Sequence, residues 1–383
     1  TGAVVVTMNY RLGALGWLWT SGMAAQSLGG NFSIRDQQMA MRWVQRNVAA
    51  FQGDPQRVML AGESVGAISA SLHLVSPTAQ GLFQRVVLAS GVAPPGLLSS
   101  DKVAAVGDAF AAKLGCPAGA QQMACLQALT PAQLVENSPG YADIGRTGLP
   151  WQNFVDGETI VGDVFKRVSA GQFNKVPIMV GNTLDEGRGF EPLSYDLDGT
   201  PMTEAEYTQA AKVFIGNFMQ PVLTKLWYPS ASYGYPGKAW AQLITDGWFA
   251  CQTSELAGRA ADQVPTYAYE FADRTTPTAI PSPYMEHGVQ HGADLLYWFQ
   301  TPLDDLALSL NPAQTRLSDQ MIGYWKSFAE SGQVNWPRYS KSTTPVLSLV
   351  PDASKVMDKG AFQRQHQCSG WSILYSLRAS GTV

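Results

Sequence analysis

The sequence is poor in charged residues, and neither sign is in large excess. Lys and Arg total 26 and Asp and Glu total 30, so charged residues make up 15% of the 383 residues and the net charge is −4. Basic residues form no cluster, which leaves nucleic-acid binding without electrostatic support. No apolar run approaches the ~18 residues that a membrane-spanning helix requires. The composition is therefore that of a globular protein without a nucleic-acid partner or a transmembrane segment.

Cysteine is also scarce, and its spacing excludes one kind of site. The four cysteines are at positions 116, 125, 251 and 368. These spacings fit no zinc template, so we expect no metal site. Four cysteines permit three pairings, and the sequence alone does not choose among them. Four free thiols in a cytosolic protein remain the alternative.

Short apolar runs alternate with segments of helical periodicity along the chain. The runs that predict strands lie at 4–8, 58–61, 85–89, 177–181 and 267–271, and the helical patterns lie at 34–51, 66–75 and about 317–328. Such alternation predicts an α/β fold with a mostly parallel central sheet and helices on both faces. We interpret residues 1–383 as one domain. Within it, the aromatic-rich residues 187–260 are predicted to form a helical insertion that covers the mouth of the sheet.

The pattern G-x-S-x-G at residues 62–66 is the most informative local signal. An apolar run precedes it and small residues follow it, which predicts a strand, a sharp turn and a helix. Glycine suits a turn this tight, because the backbone and the neighbouring chain come close to the serine. The turn exposes the Ser64 hydroxyl near the positive end of the next helix, as in a nucleophile elbow. An ordinary glycine-rich strand–helix turn is the alternative.

A serine hydroxyl needs a base to accept its proton, and the sequence offers four histidines. His73 lies nine residues after Ser64 on the same predicted helix, which places it on the opposite face, so it belongs to the surface or the core. His366 lies in a C-terminal segment and is not favoured. His287 and His291 share a loop after the last predicted strand, where doubly wound sheets hold functional groups. Two loop histidines bonded to backbone remain the alternative.

A carboxylate that orients the base is expected in the segment G-N-T-L-D-E-G, which follows the predicted strand at 177–181. Asp185 and Glu186 are both candidates, although a solvated turn would look the same. The order serine, carboxylate, histidine is that of α/β-hydrolases.

Several motifs together resemble the type-B carboxylesterase/lipase family, which includes the cholinesterases. They occur in the expected order and span nearly the whole chain, at 9–13, 30–37, 51–55, 62–66, 185–187, 291–295 and 336–337. The resemblance implies an α/β-hydrolase fold without a cofactor. It also implies that Ser64 is the nucleophile, Glu186 the acid and His291 the base.

The same resemblance implies the disulfides Cys116–Cys125 and Cys251–Cys368. Paired cysteines indicate an oxidising compartment, such as the cell exterior, the endoplasmic reticulum lumen or the periplasm.

The sequence departs from the family pattern at a few positions. Val65 replaces the usual alanine after the nucleophile, and we expect its N–H to serve the oxyanion hole. Asp294 replaces a common glutamate. Glu63, beside the nucleophile, is expected either to favour a charged His291 or to form a structural hydrogen bond.

The family's other oxyanion donors come from a His-Gly-Gly-rich loop ahead of the strand at 4–8, and no such loop is present in this sequence. We therefore expect an N-terminally truncated piece whose missing segment supplies those donors, in the same protein or as another chain.

The expected activity is hydrolysis of a small-molecule or lipid ester. Glu63, Trp248, Phe249 and Trp298 are candidate pocket residues, although each aromatic taken singly is more often a core residue. A catalytically silent, cholinesterase-like adhesion or binding protein is the alternative from another class. Amide or thioester cleavage on the same fold is a further alternative.

Overall fold

The computed structural model describes residues 2–138, 151–278, 280–300 and 308–379 of the chain. Its strands are β1 Met59–Glu63, β2 Arg85–Ala89, β3 Leu98–Ser99, β4 Phe154–Val155, β5 Ile178–Thr183, β6 Thr266–Phe271, β7 Leu347–Leu349 and β8 Lys355–Val356. Six of them form one sheet in the order β1-β2-β5-β6-β7-β8. All neighbouring pairs in it are parallel except β7 and β8. β3 and β4 form a separate parallel pair.

Helices fill most of the chain between the strands. Their bounds are Gly13–Trp17, Ser21–Ala25, Phe32–Asn47, Val65–Val75, Ser100–Lys113, Gln122–Ala128, Pro131–Glu136, Val164–Ser169, Gly187–Ser194, Glu204–Ile215, Gln220–Val222, Ser230–Tyr233, Pro236–Ile244, Cys251–Ala260, Leu295–Phe299, Pro312–Ser331, Ala361–Gln365 and Cys368–Ala379. Two wider turns of helix, Leu223–Trp227 and Thr245–Ala250, extend their neighbours. None of the helices in the described residues combines the length and the apolar character needed to cross a bilayer.

Burial on both faces explains the apolar runs in the central strands β2 and β5. In β2, Val86 and Leu88 enter one hydrophobic cluster while Val87 enters another on the opposite face. Side chains alternate in the same way along β5, where Ile178 and Met179 belong to different clusters. Successive residues of a strand point to opposite faces, so a parallel sheet with helices on both sides buries every position. The predicted fold class is confirmed.

The predicted strand at residues 4–8 does not form, and that prediction is wrong. Val5 is 72% exposed, and the segment has no regular structure. A strand requires a neighbour to accept and donate its backbone hydrogen bonds. β1 is the edge of the sheet, and no described segment pairs with its outer side.

Both predicted disulfides are present. Cys116 bonds to Cys125 and Cys251 bonds to Cys368, with Cα–Cα distances of 5.5 and 5.0 Å. The second bond ties the helix Cys251–Ala260 to the C-terminal helix Cys368–Ala379. Residues separated by 117 positions are thereby joined beside the sheet.

Candidate active site

Ser64 stands at the sharp turn between β1 and the helix Val65–Val75. Its φ of 57° and ψ of −122° lie in a region that non-glycine residues rarely adopt. The backbone N–H of Ser64 donates to the carbonyl of Ala89 at 2.9 Å, which holds the turn against β2. Strain of this kind persists only where the surroundings impose it, and it concentrates at functional sites.

The glycines around Ser64 have unequal roles. A Cβ added at Gly62 would lie 2.2 Å from the Gly66 backbone, and one at Gly91 would lie 2.5 Å from the Ser64 carbonyl oxygen. A Cβ at Gly66 itself would meet nothing within 4 Å. Close packing therefore requires glycine at 62 and 91, whereas the space around position 66 does not require it there.

Glu186 and His291 meet at the carboxyl ends of two neighbouring strands. Glu186 follows β5 and is fully buried, and its Oε1 accepts the backbone N–H of Thr183 at 2.7 Å. Its Oε2 lies 2.6 Å from His291 Nδ1, in the loop after β6. A carboxylate can only accept, so Nδ1 carries the proton and Nε2 is directed to the opposite side.

Nε2 of His291 faces Glu63 rather than the serine hydroxyl. It lies 3.3 Å from Glu63 Oε1, and this contact is an ion pair without hydrogen-bond alignment. The hydrogen bonds among the described residues do not include one between Ser64 Oγ and His291 Nε2. Glu63 directly precedes Ser64 in the chain, so this contact brings the His291 loop to the end of β1.

The electrostatics of these groups are strongly coupled. Burial raises the pKa of Glu63 to about 7, although the His291 cation opposes the rise. Burial by itself lowers the pKa of His291, but the charge and hydrogen bond of Glu186, with Glu63 and Asp294 adding to them, raise it to about 9. Burial also raises the pKa of Asp294 to about 6, against the hydrogen bond from Trp298. The protonation of this one imidazole therefore depends on three neighbouring carboxyl groups.

Two aromatic rings pack against the imidazole of His291. The ring centroids of Phe190 and Phe249 lie 4.7 and 5.0 Å from the imidazole centroid. Trp248 extends this wall, with its centroid 6.2 Å from that of Phe190. Phe190 was missed by the sequence reasoning, although it follows Glu186 by four residues, which is one helical turn.

The other singled-out residues lie outside this aromatic wall. Trp298 stacks on Trp325 at 4.6 Å in the core on the other face of the sheet, and its indole N–H donates to Asp294 at 2.9 Å. His73 is buried beside Gln37, with 2.8 Å between Nε2 and Oε1, and burial lowers its pKa to about 3. Val65 is the first residue of the elbow helix, where N–H groups have no helical acceptor.

His366 is buried between two acidic side chains. Its Nδ1 lies 2.7 Å from Asp246, and its Nε2 lies 2.7 Å from Glu270. Both ring nitrogens are therefore occupied, which leaves neither to act as a base.

Comparison with known proteins identifies the family. The model of the carboxylesterase family matches residues 1–371. This chain belongs to the carboxylesterase family. Its fold is similar to that of a solved PNB esterase, with a TM-score of 0.78, 24% sequence identity, and coverage of 94% of this chain and 73% of that one. At this identity the structural likeness shows the α/β-hydrolase fold alone, whereas the family match places the chain among the carboxylic ester hydrolases, which act on small-molecule esters.

Proposed function

We propose that the protein hydrolyses carboxylic esters through an acyl-enzyme, with Ser64 as nucleophile, His291 as base and Glu186 as the acid that orients it. The observation that carries the proposal is the 2.6 Å contact between Glu186 and His291 Nδ1 beside a serine held in an elbow conformation. The contact fixes the orientation in which Nδ1 holds a proton against Glu186 and Nε2 is the nitrogen that exchanges one.

In the first half-reaction the Ser64 Oγ attacks the ester carbonyl as His291 Nε2 accepts its proton. The oxyanion forms at the N-terminus of the elbow helix, where we expect the Val65 N–H to donate to it. His291 then protonates the departing alcohol, and the acyl group stays on Ser64. Water activated by His291 hydrolyses this ester and releases the acid. To reach Ser64, Nε2 must turn away from Glu63. We expect this movement when substrate binds, since catalytic hydrogen bonds often tighten only then.

Glu63 has a defined part in this scheme. At 3.3 Å from Nε2 it favours the imidazolium that forms when Ser64 loses its proton. The same charge makes the resting imidazole harder to deprotonate. We therefore assign Glu63 to electrostatic control of the base.

We propose that Phe190, Trp248 and Phe249 form the apolar wall of the substrate pocket, because their rings adjoin His291 or one another. Trp298 acts on the site through its bond to Asp294 rather than as a wall. We further propose that residues 187–260, which supply all three wall aromatics, are the insertion that shapes the mouth of the sheet. The two disulfides support placement in an oxidising compartment, secreted or in the endoplasmic reticulum lumen or periplasm.

Labelling with a fluorophosphonate probe, followed by identification of the modified peptide, tests the proposal. We expect the adduct on Ser64, a burst of p-nitrophenol from p-nitrophenyl acetate, and loss of both in Ser64→Ala. Ser90 provides a matched control, because it also ends a strand with a positive φ, of 54°, and is buried. Ser90→Ala should still be labelled.

Absence of an adduct on the folded wild-type protein would refute the acyl-enzyme and favour the adhesion alternative. A panel of esters, amides and thioesters separates ester hydrolysis from the other reactions of the fold.

A further inference from the structure

The two adjacent carboxylates after β5 reach the same histidine loop in different ways. Glu186 contacts the imidazole, whereas Asp185 contacts the backbone two residues before it. The Asp185 N–H donates to the Val289 carbonyl at 3.0 Å, and the Val289 N–H donates back to Asp185 Oδ2 at 3.0 Å. This reciprocal pair joins the loop of the acid to the loop of the base.

An arginine reinforces the junction from the acid's own helix. Arg188 Nη2 lies 3.3 Å from Asp185 Oδ1, and Arg188 Nη1 donates to the Glu286 carbonyl at 3.0 Å. The side chains of Arg188 and Asp185 are only 12% and 6% exposed, so their attraction is weakly screened. Arg274, at 3.7 Å from Asp185 Oδ2, adds a second cation.

The histidine loop is shaped to admit this carboxylate. Gly288 has a φ of +56°, and a Cβ there would lie 2.5 Å from Asp185 Oδ2. Only glycine allows both the backbone conformation and the close approach. The Asp185 side chain therefore packs closely against the histidine loop and is not a solvated turn residue.

From these contacts we infer that Asp185 is a positioning residue that sets the separation of Glu186 and His291. Its contacts with the described residues do not include one with the imidazole, and it acts by holding the backbone next to Glu186 against the backbone two residues before His291. This inference rests on the proposed function, because it assigns Asp185 a task in the same reaction.

The test compares Asp185→Ala with Asp185→Asn. Alanine removes the acceptor for the Val289 N–H, whereas asparagine keeps an oxygen acceptor of the same length. A misplacement of about 1 Å can cost about 100-fold in rate, so we expect kcat of Asp185→Ala to fall roughly 10- to 100-fold. KM for a short ester should stay the same, and Asp185→Asn should recover most of the kcat. Rates are taken per site titrated with the fluorophosphonate, so that unfolded protein does not count.

Asp273 supplies a control for the general cost of losing a buried carboxylate. It is 2% exposed and accepts hydrogen bonds from Tyr297 and Gln314. Tyr297 belongs to the hydrophobic cluster on the face of the sheet opposite to that of Phe249. Asp273→Ala should lower the melting temperature but not kcat per titrated site.

A second readout does not depend on turnover. The His291 Nδ1 proton, 2.6 Å from Glu186 in heavy-atom distance, should give a far-downfield proton NMR signal that His291→Gln lacks. We expect it to broaden or shift in Asp185→Ala and to persist in Asp185→Asn and Asp273→Ala. Wild-type kcat and an unchanged signal in Asp185→Ala would overturn the inference. If the wild type neither turns over esters nor takes the probe, the proposed function fails, and the NMR signal still decides whether Asp185 positions His291.

Discussion

Replacing His366 tests whether a buried, protonated imidazole stabilises this fold. His366 is fully buried, and each ring nitrogen lies 2.7 Å from a carboxylate oxygen, of Asp246 on one side and Glu270 on the other. A neutral imidazole has one N–H, so it would direct a lone pair at one of these oxygens. The geometry therefore requires the imidazolium. Burial by itself lowers the pKa of His366, but the two hydrogen bonds and the two charges raise it to about 10.

The expected size of the effect follows from what His366→Gln leaves behind. Glutamine can donate to only one side, so two buried carboxylates lose their common cation. Removing one partner of a buried ionic group typically costs about 3–5 kcal/mol of stability. The folded pKa of about 10 lies above the ordinary value of 6.5. The stabilisation is therefore fully present below pH 6.5 and is lost as the pH rises through the folded pKa.

Urea unfolding of the wild type and His366→Gln, from about pH 6 to about pH 10, measures this difference. The gap in free energy of unfolding should be constant near pH 6 and should shrink steadily towards pH 10. His73→Gln is the matched control. Because burial lowers the pKa of His73 to about 3, that residue is neutral throughout this range in the folded state. Its difference from wild type should be flat above pH 6.5. A gap for His366→Gln that is absent, or that does not change with pH, would refute the charged bridge.

Three further predictions address the elbow, the base and the longer disulfide. Glu63→Gln should move the rising limb of kcat/KM against pH to lower pH, because the Glu63 charge helps to raise the pKa of His291; a limb that stays or moves upward contradicts this. Changing Cys251 and Cys368 together to serine should lower the free energy of unfolding by about 5 kcal/mol, since the bond closes a loop of 117 residues. A loss below about 1 kcal/mol in urea unfolding would show that the unfolded chain gains little freedom when the bond is removed. Gly62→Ala places a methyl group 2.2 Å from the backbone of the elbow helix. It should abolish probe labelling and destabilise the fold by roughly 1–3 kcal/mol. Normal labelling would contradict the packing argument.

Much of the site could be predicted from local sequence because each element has its own local cause. The apolar run, the turn and the small residues around Ser64 specify strand, elbow and helix within a dozen positions. Candidate acid and base segments each follow a strand, and parallel strands bring their carboxyl ends to one edge of the sheet. The choice of Glu186 and His291 came from the family resemblance, and their assignment as catalytic residues stays a prediction.

The local sequence pattern gave a wrong or incomplete prediction where a segment or a side chain depends on a partner distant in the chain. Residues 4–8 have the composition of a buried strand, yet Val5 is 72% exposed because a strand exists only with a neighbour. The sequence showed only that His366 lies in a C-terminal segment, since its two carboxylates lie 120 and 96 positions away in the chain.

By itself, the sequence determined the α/β alternation, the elbow and the order of serine, carboxylate and histidine, because periodicity and turn chemistry act between near neighbours. The tertiary structure alone decided which atoms meet: Asp185 lies under the histidine loop, and Nε2 of His291 faces Glu63. Such contacts join residues over 100 positions apart, or place them to within tenths of an ångström, and only the packed sheet fixes them.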